Sequence, residues 1–238
     1  MFKLNTRCNL QCSYCWYSIN PQLHVDAQDE MSLETVKELV ERISLQAGDV
    51  VYLSGGEPVL RNDIVEICRC ISSTGATVYM TTNGTLLDRL LAVSPWIDGY
   101  VVSLDSVESE YHDIHRGQHQ RTAKNIEALV EQAPVCVSVV LSQQNIEQLS
   151  SLADFCVNLK VNSLFCQLLW YPAGHPERQN RCLGKDHVLK FNKVMNELRQ
   201  RKSALCIPVE PYLQLLDQKS LMMAQRDKYT IASLKAAI

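Results

Sequence analysis

The chain has 238 residues, 46% of them apolar and 21% charged, so it is long enough to fold around one sizeable core. Its net charge of −3 gives no reason to expect a nucleic acid or another polyanion as a partner. No apolar run approaches the roughly 20 residues that a membrane span requires, so a membrane partner is not expected either.

Cysteine is frequent in this chain, with ten residues. Their spacing is not that of a small secreted disulfide scaffold, and no signal-peptide pattern precedes the first predicted strand. Thiols in a chain of this kind are expected to stay reduced. The sequence therefore predicts a cytoplasmic protein.

Short β-rich runs alternate with helical stretches along the whole chain. The predicted strands cover residues 2–5, 50–53, 77–80, 100–105, 135–141 and 163–170. The predicted helices cover residues 33–43, 64–71, 86–91, 122–130, 146–157 and 186–201. Ser32 and Asn145 are the predicted N-caps of the first and fifth of these helices.

Six strand-then-helix units imply right-handed crossovers and a parallel sheet covered by helices. Six units are too few for a closed barrel of eight strands. We therefore predict an α/β fold, a partial (β/α)6 TIM-like barrel with parallel strands. Polar residues follow the strands, which predicts an active site at the C-terminal strand ends.

Three cysteines stand close together near the start of the chain, at C-x3-C-x2-C spacing: Cys8, Cys12 and Cys15. Thiolates this close in sequence can converge on one metal centre from a single loop. A four-iron cluster normally takes four cysteine ligands, so three leave one iron open to another ligand. The pattern predicts Cys8, Cys12 and Cys15 as metal ligands.

A zinc site is the alternative explanation of these cysteines. Zinc requires a fourth cysteine or histidine at tetrahedral geometry. The nearest histidine is His24, and its neighbours Leu23 and Val25 form no ligand pattern. The sequence therefore favours an iron–sulfur cluster over zinc.

The motifs after the first four strands resemble the radical S-adenosylmethionine (SAM) superfamily. The cysteine loop, with Tyr14 before its third cysteine, follows strand one, and Gly55-Gly56-Glu57-Pro58 follows strand two. Asn83-Gly84 follows strand three, and Ser103-Leu104-Asp105 closes strand four. Their order and placement match that superfamily over about residues 1–205, and resemble the branch with molybdenum-cofactor, PQQ and peptide-maturation enzymes.

This resemblance implies one [4Fe-4S] cluster and SAM as cofactors. It implies an oxidoreductase or maturase in which the reduced cluster cleaves SAM to a 5′-deoxyadenosyl radical. That radical would remove a hydrogen atom from a small-molecule or peptide substrate. A flavodoxin-like or ferredoxin-like electron donor is implied as a partner, and no residue is assigned to the radical chemistry itself.

The resemblance also implies a set of SAM-binding residues. Gly55 and Gly56 permit close backbone approach to the methionine moiety, and Glu57 accepts a hydrogen bond from its amino group. Tyr14 packs near the adenine. Ser103 is expected at the ribose or carboxylate of SAM.

Four further SAM contacts have ordinary structural alternatives. Asp105, two residues after Ser103 on the same predicted strand, faces the same side, but a helix cap or an ion pair also explains it. Asn83 also makes turns unaided. Arg116 is expected near the SAM carboxylate or as a solvated charge, and Ser138 as a SAM contact or a locally bonded hydroxyl.

The resemblance assigns residues 1–205 to a radical SAM core domain. Residues 206–238 are predicted to form a short, mostly helical tail. Many relatives hold auxiliary clusters in this region, but residues 207–238 contain no cysteine, so no auxiliary cluster is expected. The alternative function is a non-catalytic metal- or iron–sulfur-binding sensor domain.

Overall fold

A computed structural model describes residues 1–26, 30–200 and 205–207 of the chain. Six strands form one sheet in the order of the sequence. The strand bounds are β1 Phe2–Lys3, β2 Val50–Ser54, β3 Thr77–Thr82, β4 Gly99–Ser103, β5 Val135–Leu141 and β6 Ser163–Leu168. The pairings of β1 with β2, of β2 with β3 and of β3 with β4 are parallel. Within the described residues β1 and β6 are not neighbours, so the sheet stays open, and the predicted partial barrel is confirmed.

Helices follow the strands as predicted, with three short additions that the sequence analysis missed. Their bounds are α1 Trp16–Ile19, α2 Leu33–Arg42, α3 Ile64–Ser72, α4 Leu87–Val93, α5 Ser109–His115, α6 His119–Leu129, α7 Leu149–Asn158, α8 Arg178–Arg181 and α9 Val188–Gln200. The additions are α1, α5 and α8. None of the described helices combines the length and the apolar character needed to cross a bilayer.

Local sequence explains where the first long helices begin and which face they bury. The Ser32 hydroxyl accepts a 3.2 Å hydrogen bond from the Thr35 amide, which caps α2 as predicted. Helix α3 buries four side chains at helical spacing: Ile64, Ile67, Cys68 and Ile71. This apolar stripe is what holds α3 on the protein interior.

The chain divides into two compact units. The first comprises Met1–Leu104 and His112–Cys136, and the second comprises Asp105–Tyr111 and the chain from Val137. The first is packed on the buried side chains of β2, β3 and β4, among them Val51, Leu53, Val78, Met80, Tyr100 and Val102. The second buries side chains of β5, α7, β6 and α9, among them Val137, Val139, Leu149, Leu152, Leu164 and Phe191.

The predicted cap at Asn145 is wrong. A 3₁₀ turn, Ile146–Gln148, precedes α7, and the Asn145 side chain makes no capping bond to it. Its amide instead donates to the carbonyls of Asp105 and Val140, at 2.9 and 3.0 Å, and its oxygen accepts from the Ser142 amide. Asn145 therefore ties together loop backbone of the second unit.

The boundary of the predicted tail falls at the end of the described chain. Cys206 forms an isolated parallel bridge with Ser163 of β6, and its carbonyl accepts from the Leu164 amide at 2.9 Å. Residues 208–238, which carry the rest of the predicted tail, lie outside the described residues.

Candidate functional site

The cysteine loop connects β1 to α1. Cys8 is exposed, Cys12 is buried, and Cys15 is half-buried at the N-cap position of α1. The Cys15 amide donates to the Cys12 carbonyl at 3.0 Å, which makes a tight turn between these two residues. Desolvation raises the pKa of the Cys8 thiol, while hydrogen bonds from the Leu10 amide and Asn83 act in the opposite direction.

The Gly-Gly-Glu turn is bonded to the chain that follows β1. The Gly56 amide donates to the Asn5 carbonyl at 2.9 Å, and the Glu57 amide donates to the Arg7 carbonyl at 2.8 Å. The Asn5 side chain returns a 2.9 Å bond to the Glu57 carbonyl. The turn after β2 thus fixes the backbone immediately before Cys8.

Both glycines of this turn are required by that close approach. A Cβ on Gly55 would collide with the backbone of Asn5, and a Cβ on Gly56 would collide with the Arg7 carbonyl. The space that glycine provides is therefore used by the start of the cysteine loop. Approach of the same turn to a bound methionine moiety stays a prediction.

Glu57 is fully buried, and both its oxygens have partners inside the protein. The Thr82 hydroxyl donates to Oε1 at 2.9 Å, and the Asn83 amide donates to Oε2 at 2.7 Å. Burial raises the pKa of this carboxyl to about 7, against the opposing effect of these hydrogen bonds. The structure gives the side chain a positioning role, and the predicted bond to a SAM amino group stays a prediction.

Asn83 lies at the end of β3, beside the cysteine loop. Its side-chain amide donates to Asn9 Oδ1 at 2.9 Å and to Cys8 Sγ at 3.7 Å. Its oxygen accepts from the amide and the hydroxyl of Thr85, at 3.0 and 2.6 Å. Asn83, suggested by the sequence as a SAM contact or a turn residue, therefore contacts Cys8, a predicted cluster ligand.

Tyr14 and Arg116, two of the residues predicted to contact SAM, lie side by side. The Arg116 guanidinium lies 5.3 Å from the centre of the Tyr14 ring, which is cation–π distance. The Ser13 amide donates to the His115 carbonyl at 2.9 Å and so holds the two segments side by side. The SAM contacts of both residues stay predictions.

Ser103 is the last residue of β4 and is half-buried. The register pairs Thr82 of β3 with Val102 of β4, so Asn83 and Ser103 follow at adjacent strand ends. This is the edge where the sequence analysis placed the site. The contact of Ser103 with SAM stays a prediction.

The expectation that Asp105 shares a strand face with Ser103 is wrong, because β4 ends at Ser103. Asp105 belongs to the second unit, is buried, and accepts a 2.9 Å bond from the Val140 amide. Its carboxylate thus bonds to strand backbone. A role of Asp105 in SAM binding stays a prediction.

Ser138, in the same second unit, is buried on β5. Its hydroxyl accepts a 2.9 Å bond from the Gln167 side chain of β6. The local hydrogen bond that was the alternative role predicted for Ser138 is therefore present. The contact of Ser138 with SAM stays a prediction.

A buried cation that the sequence analysis missed supports the same loop. Arg61 donates to the Leu4 and Met31 carbonyls, both at 2.9 Å, and makes a two-point bond to the Asp63 carboxylate. Glu30 bridges Arg61 to Arg7, the residue before Cys8. The Arg61-x-Asp63 spacing was the available signal, but a sequence does not reveal which backbone carbonyls an arginine will reach.

The cysteine loop fits an iron–sulfur cluster better than a single metal ion. Among the described residues, no three His, Cys, Asp or Glu side chains are arranged to hold one ion. A cluster makes a different demand, because each thiolate binds its own iron and the sulfurs stand further apart. Cys15 is close enough to Cys8 for their charges to interact, and two N–H groups already point at the Cys8 sulfur.

A family model of the Radical SAM superfamily matches residues 2–156. That range contains the cysteine loop, the Gly-Gly-Glu turn and Asn83. The chain belongs to the radical SAM superfamily. Members of this superfamily use a [4Fe-4S] cluster and SAM, and the three loop cysteines are the residues that fit the cluster here.

Two curated relatives and one solved structure are similar to this chain. The AdoMet-dependent heme synthase of Methanosarcina barkeri (strain Fusaro / DSM 804) is 26% identical over 231 residues, covering 92% of this chain and 64% of that protein. The PqqA peptide cyclase of Methylobacterium nodulans (strain LMG 21967 / CNCM I-2342 / ORS 2060) is 28% identical over 214 residues, covering 84% and 54%.

The structure of Streptococcus suis SuiB bound to S-adenosylmethionine superposes with a TM-score of 0.70 at 20% identity. The match covers 86% of this chain and 48% of SuiB, and it shows a shared fold. The radical SAM chain described here therefore spans about half to two thirds of the length of these three proteins.

Proposed function

We propose that this chain is a radical SAM enzyme that reductively cleaves SAM at a [4Fe-4S] cluster and abstracts a hydrogen atom from a substrate. The observation that carries the proposal is the bonding of the cysteine loop to two strand ends. The Gly-Gly-Glu turn fixes the backbone before Cys8, and Asn83 donates to the Cys8 thiol. A preordered three-cysteine loop of this kind is what an incomplete cluster ligand set requires.

In this proposal Cys8, Cys12 and Cys15 would hold the cluster and would leave one iron without a protein ligand, to which SAM would bind. When bound, the cluster supplies the electron that breaks a C–S bond of SAM and yields the 5′-deoxyadenosyl radical. The protein residues bind and orient. The candidates for SAM contact are Tyr14, Gly55, Gly56, Glu57, Asn83, Ser103, Asp105, Arg116 and Ser138.

The two curated relatives support two different substrate classes. One is named as a heme synthase and the other as a peptide cyclase, so a small molecule and a peptide are both supported. We propose a low-potential flavodoxin-like or ferredoxin-like protein as electron donor. The spacing of the ten cysteines is not that of a secreted disulfide scaffold, which supports the proposed cytoplasmic location.

The proposed domain division keeps residues 1–205 as the radical SAM core. Residues 206–238 form a short C-terminal tail in this proposal, and residues 207–238 contain no cysteine. The alternative of a non-catalytic sensor gains no support from the relatives, which are named as a synthase and a cyclase.

The test is anaerobic reconstitution of the full chain with iron and sulfide, followed by dithionite reduction and an assay for 5′-deoxyadenosine. We expect cluster absorbance, SAM binding and SAM cleavage in the wild type. All three signals should be lost in the triple variant Cys8→Ala/Cys12→Ala/Cys15→Ala. Cys70→Ser, at a half-buried cysteine on α3, is the matched control and should retain them.

Two outcomes would contradict the proposal. A fully loaded chain that neither binds SAM nor yields 5′-deoxyadenosine would favour the sensor alternative. Equal cluster content in the triple variant and the wild type would remove the loop as the cluster site. If both tests support the proposal, deuterium transfer from labelled small molecules and peptides into 5′-deoxyadenosine identifies the substrate class.

A further inference from the structure

The Cys8 sulfur is the acceptor of two N–H groups. The Leu10 backbone amide lies 3.4 Å from Sγ, and the Asn83 side-chain nitrogen lies 3.7 Å from it. The first donor comes from the cysteine loop itself. The second comes from 75 residues further along the chain, at the end of β3.

The orientation of the Asn83 amide follows from its neighbours. A backbone amide can only donate a hydrogen bond. The Thr85 amide lies 3.0 Å from one terminal atom of the Asn83 side chain, so that atom must be the oxygen, Oδ1. The nitrogen then faces the Cys8 sulfur and Asn9 Oδ1. Its two hydrogens have one acceptor each, so the N–H directed at sulfur is a consequence of the network.

The position of Asn83 is fixed as firmly as its orientation. Its backbone amide donates to the buried Glu57 carboxylate at 2.7 Å, and its carbonyl accepts from the Thr122 hydroxyl at 3.0 Å. The residue is 8% exposed. Because both backbone groups and the side chain are bonded, the donor cannot turn away from Cys8 without breaking several hydrogen bonds.

We propose that Asn83 is a positioning residue that raises the reduction potential of the cluster through its N–H···S bond to Cys8. The inference rests on the proposed function, since it takes Cys8 as a cluster ligand. Reduction of the bound cluster would be a one-electron transfer from an external low-potential donor, with no covalent bond formed or broken. Part of the added negative charge resides on the thiolate sulfurs, so an N–H directed at sulfur stabilises the reduced state more than the oxidised state.

The experiment compares two buried asparagines of the same unit in the reconstituted full chain. Asn83→Leu removes the donor to sulfur. Asn125→Leu removes a buried amide that donates to the Gly84 carbonyl at 2.8 Å, one residue from Asn83, and is the matched control. The readout is the midpoint potential, from a redox titration followed by the electron paramagnetic resonance signal of the reduced cluster.

For Asn83→Leu we expect the ratio of reduced to oxidised cluster at a fixed potential to fall about three- to tenfold, where tenfold corresponds to about 59 mV for a one-electron couple. Asn125→Leu should keep the wild-type potential. A loaded Asn83→Leu protein with the wild-type potential would overturn the inference while leaving the proposed function intact. A wild-type chain that takes up no cluster would instead contradict the proposed function.

A second measurement needs no substitution and decides the case if Asn83→Leu fails to hold a cluster. Wild-type protein labelled with ¹⁵N only in asparagine side-chain amides is reconstituted and reduced. Pulsed electron paramagnetic resonance should then detect a ¹⁵N coupling to the cluster, which Asn125→Leu retains. A cluster signal without any such coupling would overturn the inference.

Discussion

The Arg61 guanidinium donates a 2.9 Å hydrogen bond to the carbonyl oxygen of Leu4, at the point where β1 passes into the cysteine loop. Arg61 is 4% exposed, and the same side chain also bonds Met31 and Asp63. A single buried cation thus joins three separate segments around the start of the loop.

Replacing this cation should destabilise the first unit. Arg61→Met leaves two backbone carbonyls without their donor and Asp63 without its partner, so we expect a loss of about 2–4 kcal/mol in the free energy of unfolding. Urea denaturation of the cluster-free chain measures it. Arg42→Met, at an exposed arginine in the last turn of α2, is the control and should cost less than about 1 kcal/mol. Equal losses in the two variants would contradict the role given to Arg61.

Glu57 should make stability fall as the pH rises. Burial raises its pKa from 4.5 to about 7 in the folded chain, so the folded state holds the proton more tightly than the unfolded state. The resulting stabilisation is complete below about pH 4.5 and is lost as the pH rises through about 7, a span worth roughly 3 kcal/mol.

The measurement for Glu57 is the difference in unfolding free energy between wild type and Glu57→Gln from pH 5 to pH 8. Because glutamine does not titrate, groups common to both proteins cancel in this difference. We expect the wild type to lose stability relative to the variant across this range. Parallel pH profiles would show that burial does not raise the pKa of this carboxyl.

Gly56 should not tolerate even the smallest side chain. The added methyl of Gly56→Ala meets the Arg7 carbonyl, so the turn and the cysteine loop must separate. We expect a loss of about 1–3 kcal/mol and a lower iron content after reconstitution. Gly184→Ala is the matched substitution, because its methyl would meet only His187 Nδ1, at 3.9 Å. An iron content in Gly56→Ala equal to that of the control would count against the close packing described.

Tyr14 and Arg116 should be energetically coupled. A double-mutant cycle with Tyr14→Leu and Arg116→Met is expected to give a coupling of about 0.5–1 kcal/mol in the unfolding of the cluster-free chain. SAM binding to the reconstituted protein, measured by calorimetry in the same four proteins, tests the predicted ligand contacts. Additive effects in both measurements would mean that the two side chains act independently.

The parts of this protein that depend on period and spacing were predictable from the sequence. The strand–helix alternation gave the open parallel sheet, and β5 was predicted with its observed bounds. The cap at Ser32 was also predicted correctly, because it requires only the next three residues. Local chemistry of this kind is visible in a sequence.

What the sequence did not reveal are partnerships between distant residues. Asparagine is a common N-cap residue. The Asn145 side chain nevertheless makes no capping bond and instead donates to the carbonyls of Asp105 and Val140. The sequence likewise did not reveal that the Glu57 carboxylate accepts hydrogen bonds from Thr82 and Asn83. In both cases the side chain has several chemically equivalent partners, and only the fold determines which of them is in reach.

The cysteine loop is synthesised before the residues that hold it in place. Its anchors are Glu57, Asn83 and His115, and the last of these follows Ser13 by 102 residues. Because a chain is made from its N-terminus, Cys8, Cys12 and Cys15 leave the ribosome long before these anchors exist. The three thiols are then unprotected by structure, open to oxidation and to stray metals. Delivery of iron and sulfide must therefore wait until the chain has been made at least as far as His115.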